Sequence, residues 1–380
     1  MGLIHNFREL IRFQTLDRSE RNLVFYAESE SYWGYLYPFI RCLIEEHNKS
    51  VCYLTSSSSD PVLDGKIPGI HPFFIHKGYI RTILFASLDA DIMVMTLPDF
   101  GKYSLKRSKY PVHYVFVPHN INSTHMVFNK GAYDEFDTIF CVGPHHIAEL
   151  REAERIYKLP PRILIENGYV KLDSLYEEVK RQGFSSSDYK RQVFIAPSWP
   201  PHSLLEIIGV ELIEVLLSAG YSVVVRPHRD TLRLHFDALR KQFGDRKNFI
   251  LDEGKSGGSA FYESDLLITD WSGSAFSFAF SRERPVLYID VPRKILNKEY
   301  KRFSQLPLET TIREEIGAVL RPDQVSEVPE YIEKMCSKRD EWAEKIRTQR
   351  HRWIYNFGSS AKLGAAYLAN LATELQIHKH

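Results

Sequence analysis

The sequence predicts an α/β protein built from two Rossmann-like domains, each with a parallel sheet. Three observations support this fold class. The chain has 380 residues, which exceeds what one hydrophobic core usually serves. Short β-branched or aromatic runs alternate with longer amphipathic stretches, which is the pattern of βαβ units. The alternation stops in a polar, serine-rich segment at residues 181–191 and then restarts, so we expect a linker there.

The predicted strands occur in both halves of the chain. Those of the first half are LVFYA (23–27), SVCYL (50–54), DIMVM (91–95), VHYVFV (112–117), TIFCV (138–142) and RILIE (162–166). Those of the second half are QVFIA (192–196), YSVVVR (221–226), NFILD (248–252), DLLIT (265–269) and PVLYID (285–290). From about residue 325 the pattern is helical only, which predicts closing helices, the last of them returning to the first domain. We therefore expect a first domain at 1–180, a second at 190–325 and closing helices at 326–380.

Composition narrows the class of protein. The formal net charge is +1, whereas a dedicated nucleic-acid binder usually has a marked basic excess, so that class is disfavoured. The four cysteines are scattered and form no CxxC pair, which favours a reducing, cytoplasmic location. No stretch reaches the roughly 18 apolar residues that a membrane-spanning helix needs.

The N-terminal segment, residues 3–13, has the pattern of an amphipathic helix. Its apolar face consists of Leu3, Phe7, Leu10 and Ile11. Such a helix either packs on its own protein or lies on a membrane surface. A peripheral position at the inner face of the cell membrane therefore stays open.

Three loops of the second half each follow a predicted strand. In a parallel sheet, the loops at the carboxyl ends of the strands converge on one crevice. The first loop presents Ser198 and Trp199. Ser203 and Glu206 follow with the spacing of a capping box, which predicts a helix that begins at Leu204.

The other two loops have the chemistry of a phosphate site. Arg226 and His228 end the second strand as a guanidinium beside a titratable imidazole. The third strand runs through TDWSGS into a helix, and exposed N–H groups at a helix start favour a pyrophosphate. We expect the donor and its phosphates to contact Ser198, Trp199, Arg226, Asp270, Ser272, Gly273 and Ser274.

These motifs resemble those of a known family. APSW, RPH and ITDWSGSAFSF, with PHN (118–120) and NGYVKLD (167–173) upstream, are similar to the ordered motifs of CDP-glycerol glycerophosphotransferases, the teichoic-acid primases and polymerases. The family motifs read approximately APTW, RPH, ITDYSSxxFDF, HG and GYPRxD. The resemblance spans roughly residues 110–295. It implies a GT-B fold with a central cleft, a CDP-linked donor on the second domain, and catalytic histidines at His119 and His228.

Four positions depart from the family pattern. The residue after the first histidine is Asn120 instead of glycine, and Gly273 replaces the second serine of the family pair. Ser277 replaces an aspartate and Val170 a proline. The donor scaffold stays recognisable, but ribitol is as plausible as glycerol for the transferred alcohol.

The implied activity is transfer of glycerol phosphate or ribitol phosphate from the donor to a hydroxyl of a cell-surface glycopolymer or its lipid-linked precursor, with release of CMP. His119 follows a predicted strand, and a neutral imidazole there can take the acceptor proton. We expect an anionic or lipid-linked glycan acceptor, with Glu28, Asn120 and Ser123 on the acceptor side. No divalent metal is expected, since the sequence has no clustered carboxylate ligands.

Other interpretations stay open. The same fold would serve a glycosyltransferase or a sugar-nucleotide epimerase, and a binding module without catalysis is a third class. His145, His146 and Glu149 form HHxxE, which is not a recognised zinc spacing. The basic run KYSLKRSK at 102–109 either meets anionic groups or is a solvated loop.

Overall fold

The computed structural model describes residues 3–103, 105–183, 191–228, 230–231, 233–253 and 259–377. Most of the predicted linker, residues 184–190, lies outside this description.

The first sheet is wholly parallel, with strand order β3-β2-β1-β4-β5-β6-β7. Its strands are β1 (Leu23–Ala27), β2 (Val51–Thr55), β3 (Ile70–Phe74), β4 (Ile92–Met95), β5 (His113–Phe116), β6 (Thr138–Cys141) and β7 (Ile163–Glu166). The order reverses at β1 and β4, which lie side by side. This reversal creates the crevice in which doubly wound sheets bind ligands.

The second sheet repeats this plan with order β10-β9-β8-β11-β12-β13, again all parallel. Its strands are β8 (Gln192–Ile195), β9 (Ser222–Val225), β10 (Phe249–Leu251), β11 (Leu266–Thr269), β12 (Val286–Ile289) and β13 (Gly317–Leu320). Two Rossmann-like parallel-sheet domains are therefore present. The predicted GT-B fold class is confirmed.

Helices cover both faces of each sheet. They are α1 (Leu3–Gln14), α2 (Trp33–Glu45), α3 (Tyr79–Ser87), α4 (Pro144–Tyr157), α5 (Val170–Gln182), α6 (Leu204–Ser218), α7 (Arg233–Phe243), α8 (Ser259–Glu263), α9 (Ser274–Arg282), α10 (Leu308–Thr311), α11 (Arg313–Ile316), α12 (Val328–Ser337), α13 (Arg339–Trp353) and α14 (Ser360–Ile377). The predicted start of a helix at Leu204 is confirmed, and Glu206 accepts the Ser203 N–H at 2.8 Å.

The central strands are apolar because both faces of each sheet are buried there. In β1, Val24 and Tyr26 belong to one hydrophobic cluster, while Leu23 and Phe25 belong to the cluster on the opposite face. The same division occurs in the second sheet. The polar side chains at the strand ends are therefore the ones available for chemistry.

The N-terminal helix α1 packs on its own domain. Leu10 and Phe13 are buried against the first sheet, and the Arg12 guanidinium lies 4.2 Å from the centre of the Phe73 ring. Phe7 and Ile11 remain exposed on the other side. Among the described residues, no helix is both long and apolar enough to cross a membrane.

The two domains contact each other through helices and loops. Helix α5 packs on α9 of the second domain, and α14 packs on α2 of the first. Asn297 donates to the His125 carbonyl at 3.0 Å, and the Leu296 N–H donates to the Met126 carbonyl at the same distance. These contacts place the carboxyl-end loops of both sheets opposite each other.

Candidate functional site

His119 lies just past the carboxyl end of β5 and is partly exposed. Its Nδ1 is 3.1 Å from the Thr96 carbonyl oxygen, at the end of the neighbouring strand β4. Because a carbonyl only accepts, we assign the neutral tautomer in which Nδ1–H donates to Thr96 and Nε2 is basic. The rings of Tyr32 and Phe128 stand edge-on to the imidazole, with centroids 5.8 and 5.7 Å away. The Phe116 ring is a third edge-on neighbour, at 6.5 Å, so the hydrogen bond to Thr96 and these aromatic contacts together restrain the ring orientation.

The backbone of His119 accepts a hydrogen bond from the residue that precedes α5. The hydroxyl of Tyr169, which immediately precedes this helix, donates to the His119 carbonyl at 2.8 Å. Asp173, one turn further, accepts the N–H groups of Gly358 and Ser360 at 2.8 and 2.9 Å, where α14 begins. The NGYVKLD motif therefore connects the loop that contains His119 (residues 117–124, the histidine loop) to helix α14.

Two buried histidines of α4 hold the next part of this loop. The Nε2 atoms of His145 and His146 lie 2.8 and 3.0 Å from the carbonyl oxygens of Ile121 and Asn122. Burial, with a smaller contribution from His146, lowers the pKa of His145 to about 3. Burial also lowers the pKa of His146. Both imidazoles are therefore neutral at pH 7 and donate to the loop through Nε2–H.

Glu149 completes the HHxxE motif and also binds the loop. Its Oε2 accepts the N–H and the hydroxyl of Thr124, at 2.6 and 2.8 Å. Within the ranges that the structure describes, no group of three or more histidine, cysteine, aspartate or glutamate side chains is arranged to hold a metal ion. The motif contributes to the framework of the histidine loop.

Ser123 is fully buried, so its predicted contact with the acceptor has no support in this placement. Its N–H and hydroxyl donate to the two carboxylate oxygens of Glu309 at 2.9 and 2.7 Å. Burial raises the pKa of Glu309, although both hydrogen bonds from Ser123 act in the opposite direction. We assign Ser123 to a link between the histidine loop and the second domain.

Asp270 directly follows β11 and binds the backbone of the APSW loop. Its buried carboxylate accepts the N–H groups of Ser198 and Leu204 at 2.7 and 2.9 Å, and that of Trp271 at 2.7 Å. With both oxygens engaged by the backbone, Asp270 positions the APSW loop, and we do not assign it a direct donor contact. The Ser198 hydroxyl is buried and has no hydrogen-bond partner among the described residues.

Arg226 and His228 lie beside this loop. The Nε and Nη2 atoms of Arg226 donate to one oxygen of Asp252 at 2.9 and 2.5 Å, and the arginine side chain is 32% exposed. The Nδ1 of His228 accepts the Asp230 N–H at 3.2 Å. The imidazole stands 6.4 Å from the Trp199 ring, centroid to centroid. Arg226 is therefore a fixed, partly exposed cation at the carboxyl end of β9.

The start of α9 faces the histidine loop. Ser272, Gly273 and Ser274 are partly exposed, and the Ser274 N–H donates to the Ser272 hydroxyl at 3.3 Å. A Cβ added at Gly273 would lie 2.7 Å from Asn122 Oδ1 and 3.7 Å from Asn120 Cβ. The start of α9, predicted to bind the donor phosphates, and the loop of His119, the predicted base, are therefore in contact across the domain boundary.

A cavity of about 390 Å³ has His119 among its lining residues. Glu28 lines it and forms a 2.7 Å ion pair with Arg81. The structure thus brings the predicted acceptor-side Glu28 to the same cavity as His119. Asn120 is not one of the described lining residues of this cavity and lies next to Gly273 instead.

Two larger cavities lie away from these residues. One, of about 750 Å³, opens between α2, α5 and the start of α14. The other, of about 400 Å³, is lined by residues of α5, α9 and α13. Neither is lined by a predicted site residue, so the chemistry points to the smaller cavity at His119.

The fold is similar to those of solved enzymes. The wall teichoic acid polymerase TagF superposes with a TM-score of 0.59 at 14% identity, over 100% of both chains. A form of it soaked with CDPG gives the same TM-score over 98% of this chain and 99% of that one. A putative UDP-N-acetylglucosamine 2-epimerase from Listeria monocytogenes gives 0.56 at 14% identity, over 90% and 94% of the two chains. No protein-family model matches the chain, and no curated protein sequence matches it significantly. At these identities the likeness shows the two-domain GT-B fold alone.

Several side chains at the site had no signal in the sequence. Arg81 and Asp99 line the cavity, but they follow no motif and come from a helix and a loop of ordinary composition. Glu309 lies 186 residues from its partner Ser123. Pairing over such a distance is set by the packing of the two domains, which local patterns do not report.

The basic run at 102–109 is mostly bound to its own domain. Lys102 forms a 3.1 Å ion pair with Asp99, and Arg107 forms a 2.9 Å ion pair with Asp137. Lys106 donates to the Gly101 carbonyl at 2.6 Å. These contacts favour the interpretation of the run as part of the domain surface.

Proposed function

We propose that the protein transfers a phospho-alcohol, glycerol phosphate or ribitol phosphate, from a CDP-linked donor to an acceptor hydroxyl and releases CMP. The observation that carries this proposal is the contact between the two halves of the site. The start of α9, suited to phosphate, lies against the loop of His119, suited to deprotonate a hydroxyl. The motif resemblance supplies the cytidine donor and the class of the transferred group.

In this proposal the donor phosphates lie between Arg226, His228 and the start of α9. The helix supplies N–H groups and the positive end of its dipole, and Arg226 supplies a fixed charge held by Asp252. Charge that develops on the phosphate oxygens during transfer would be stabilised by groups already in place.

The transfer step conserves atoms and charge. The acceptor oxygen forms a bond to the distal phosphorus of the donor while its proton passes to Nε2 of His119. The bond from that phosphorus to the bridging oxygen breaks, and CMP leaves with this oxygen. The hydrogen bond from His119 Nδ1 to Thr96 stabilises the imidazolium that results.

We also propose that the reaction needs no divalent metal, because Arg226 and the helix start already provide positive character at the phosphates. Turnover should then persist in excess EDTA. Loss of turnover in EDTA with recovery in magnesium or manganese would overturn this part of the proposal. We further expect a cytoplasmic location, which cell fractionation tests.

The donor assignment is tested by titrating the protein with CDP, CMP, UDP and GDP while following thermal stability. Cytidine nucleotides should stabilise it most, by about 2.7 kcal/mol at a concentration 100 times the dissociation constant. Arg226→Ala should weaken CDP binding by roughly 1 to 3 kcal/mol. Arg246→Ala is a matched control, because Arg246 is an exposed arginine of the same domain that pairs with Glu214.

A nucleotide-sugar enzyme is the second candidate, because the epimerase structure superposes almost as well as TagF does. Preferential stabilisation by UDP would favour it. A sugar donor would place attack at carbon, release a nucleoside diphosphate, and leave CDP-alcohols untouched.

A further inference from the structure

We infer that the cavity beside His119 binds the uncharged ring of a sugar, so that the acceptor ends in a neutral sugar hydroxyl and not in a phosphodiester. The inference builds on the proposed function, because it takes the group that His119 deprotonates to belong to the molecule in this cavity. It departs from the expectation of an anionic acceptor at the reacting end.

The charges at the cavity are already balanced. Apart from the titratable His119, Arg81 is the cationic side chain among the described lining residues. It lies 2.7 Å from Glu28 and 3.2 Å from the Tyr26 hydroxyl. The other carboxylate of the lining, Asp99, forms a 3.1 Å ion pair with Lys102. A phosphodiester would have to displace Glu28 from Arg81 or lie beside two carboxylates, and like charges at such distances repel.

The same carboxylates suit hydroxyl groups. A carboxylate accepts hydrogen bonds at two oxygens, and hydroxyls are donors that carry no charge to be repelled. Asn129 fixes Asp99 by donating to its Oδ2 at 2.8 Å, and Arg81 fixes Glu28. Asp99 Oδ1 is itself enclosed, so Glu28, with 28% of its side chain exposed, presents the acceptor that can discriminate between sugar hydroxyls by geometry.

Aromatic rings supply the second element of sugar recognition. Tyr32 lies next to His119, and Tyr103 lines the cavity with 70% of its surface exposed. The face of an aromatic ring is electron-rich and attracts the weakly positive C–H groups on the face of a sugar ring. The cavity volume of about 390 Å³ is within the roughly 300–1,000 Å³ typical of small-molecule sites.

The test measures acceptor binding without any nucleotide. Saturation-transfer NMR compares three neutral probes, the octyl β-glycosides of glucose, galactose and N-acetylglucosamine, with synthetic tri(glycerol phosphate). At least one glycoside should bind, and its affinity should change less than about twofold between roughly 20 and 300 mM NaCl, because a neutral ligand is not screened. Tyr103→Ala should weaken binding about fivefold or more.

Tyr110→Ala is the matched control and should bind the glycoside normally, because Tyr110 is an exposed tyrosine that precedes the opposite end of β5. Glu28→Gln, which leaves the charge of Arg81 uncompensated, should increase the affinity for tri(glycerol phosphate). Tighter, salt-sensitive binding of tri(glycerol phosphate) by the unaltered protein would overturn the inference, as would binding of neither class. Because no nucleotide is present, the result is independent of whether the donor is a CDP-alcohol.

Discussion

The contacts of His119 with Thr96, Tyr169, Tyr32 and Phe128 bear directly on the chemistry proposed for it. The Thr96 carbonyl fixes the tautomer, Tyr169 fixes the backbone, and Tyr32 and Phe128 fix the ring plane. A histidine oriented by one hydrogen bond on Nδ1 presents Nε2 in a constant direction, as a general base requires.

Replacement of His119 should separate chemistry from binding. His119→Ala should lower kcat by about 100-fold or more while donor affinity stays nearly unchanged, because the residue acts on the acceptor proton. Initial rates and calorimetry measure the two quantities. His113→Gln is the control, since His113 lies at the amino end of the same strand and bonds Thr138 at 2.8 Å. Near-normal turnover of His119→Ala would show that His119 is not the general base.

Gly273 and Asn122 should act as a pair. Alanine at 273 brings its Cβ 2.7 Å from Asn122 Oδ1, so the loop or the helix start must shift. We expect Gly273→Ala to reduce kcat/KM about tenfold, and Gly273→Ala with Asn122→Ala to recover most of the loss, with a coupling of roughly 0.5–3 kcal/mol. Additive effects in this double-mutant cycle would show that the two residues do not meet during turnover.

At the scale of elements, α4 makes the stability of the fold depend on pH through His145, which binds the histidine loop. The pKa of His145 is about 3 in the folded protein, while an unfolded histidine titrates near 6.5. Between these values the unfolded state binds more protons, so this histidine stabilises the fold above pH 6.5 and loses that contribution as pH falls.

His145→Gln should flatten this dependence, because an amide can still donate to Ile121 but does not titrate. Between about pH 7 and pH 5.5, the unaltered protein should lose roughly 1 kcal/mol more of its free energy of unfolding than the variant. Urea unfolding at the two pH values measures the difference. His47→Gln is the control, since His47 lies in the turn after α2, away from the loop of His119, and this variant should behave like the unaltered protein. Equal losses in all three proteins would contradict the shifted pKa.

The sequence predicted the central strands well but missed two at the edges of the sheets. Buried parallel strands are continuous apolar runs, and LVFYA was assigned to the residues that form β1. The strand β3 has Pro72 at its centre, which only an edge strand tolerates, and β13 is the short run GAVL. The other two edge strands, β7 and β10, were predicted because RILIE and NFILD keep recognisable apolar runs.

The candidate site could be predicted only in part for a related reason. Motifs at strand ends predicted His119, Arg226 and the start of α9 as site residues, and the structure places all three at the carboxyl ends of strands, as the topology requires. The sequence did not reveal that Ser123 is turned inward to Glu309 or that Asp270 binds the APSW loop. Those roles depend on which side chains the packing brings together.

At the scale of the whole molecule, the proposed transfer depends on two domains that meet at their loop edges. Trp199 of the second domain packs against the hydrophobic cluster of the first, and Lys294 lies 5.9 Å from its ring centre. The donor would be held by one domain and the acceptor by the other. Their relative position then decides whether the reacting atoms meet.

The identity of the released nucleotide tests the central claim most directly. The protein is incubated with CDP-glycerol or CDP-ribitol and a glycan acceptor, and the products are separated by ion-pair chromatography. The account predicts one CMP for each phospho-alcohol transferred, with the rate lowered about 100-fold or more in His119→Ala. Release of CDP, or turnover of a UDP-sugar with no reaction of either CDP-alcohol, would contradict it.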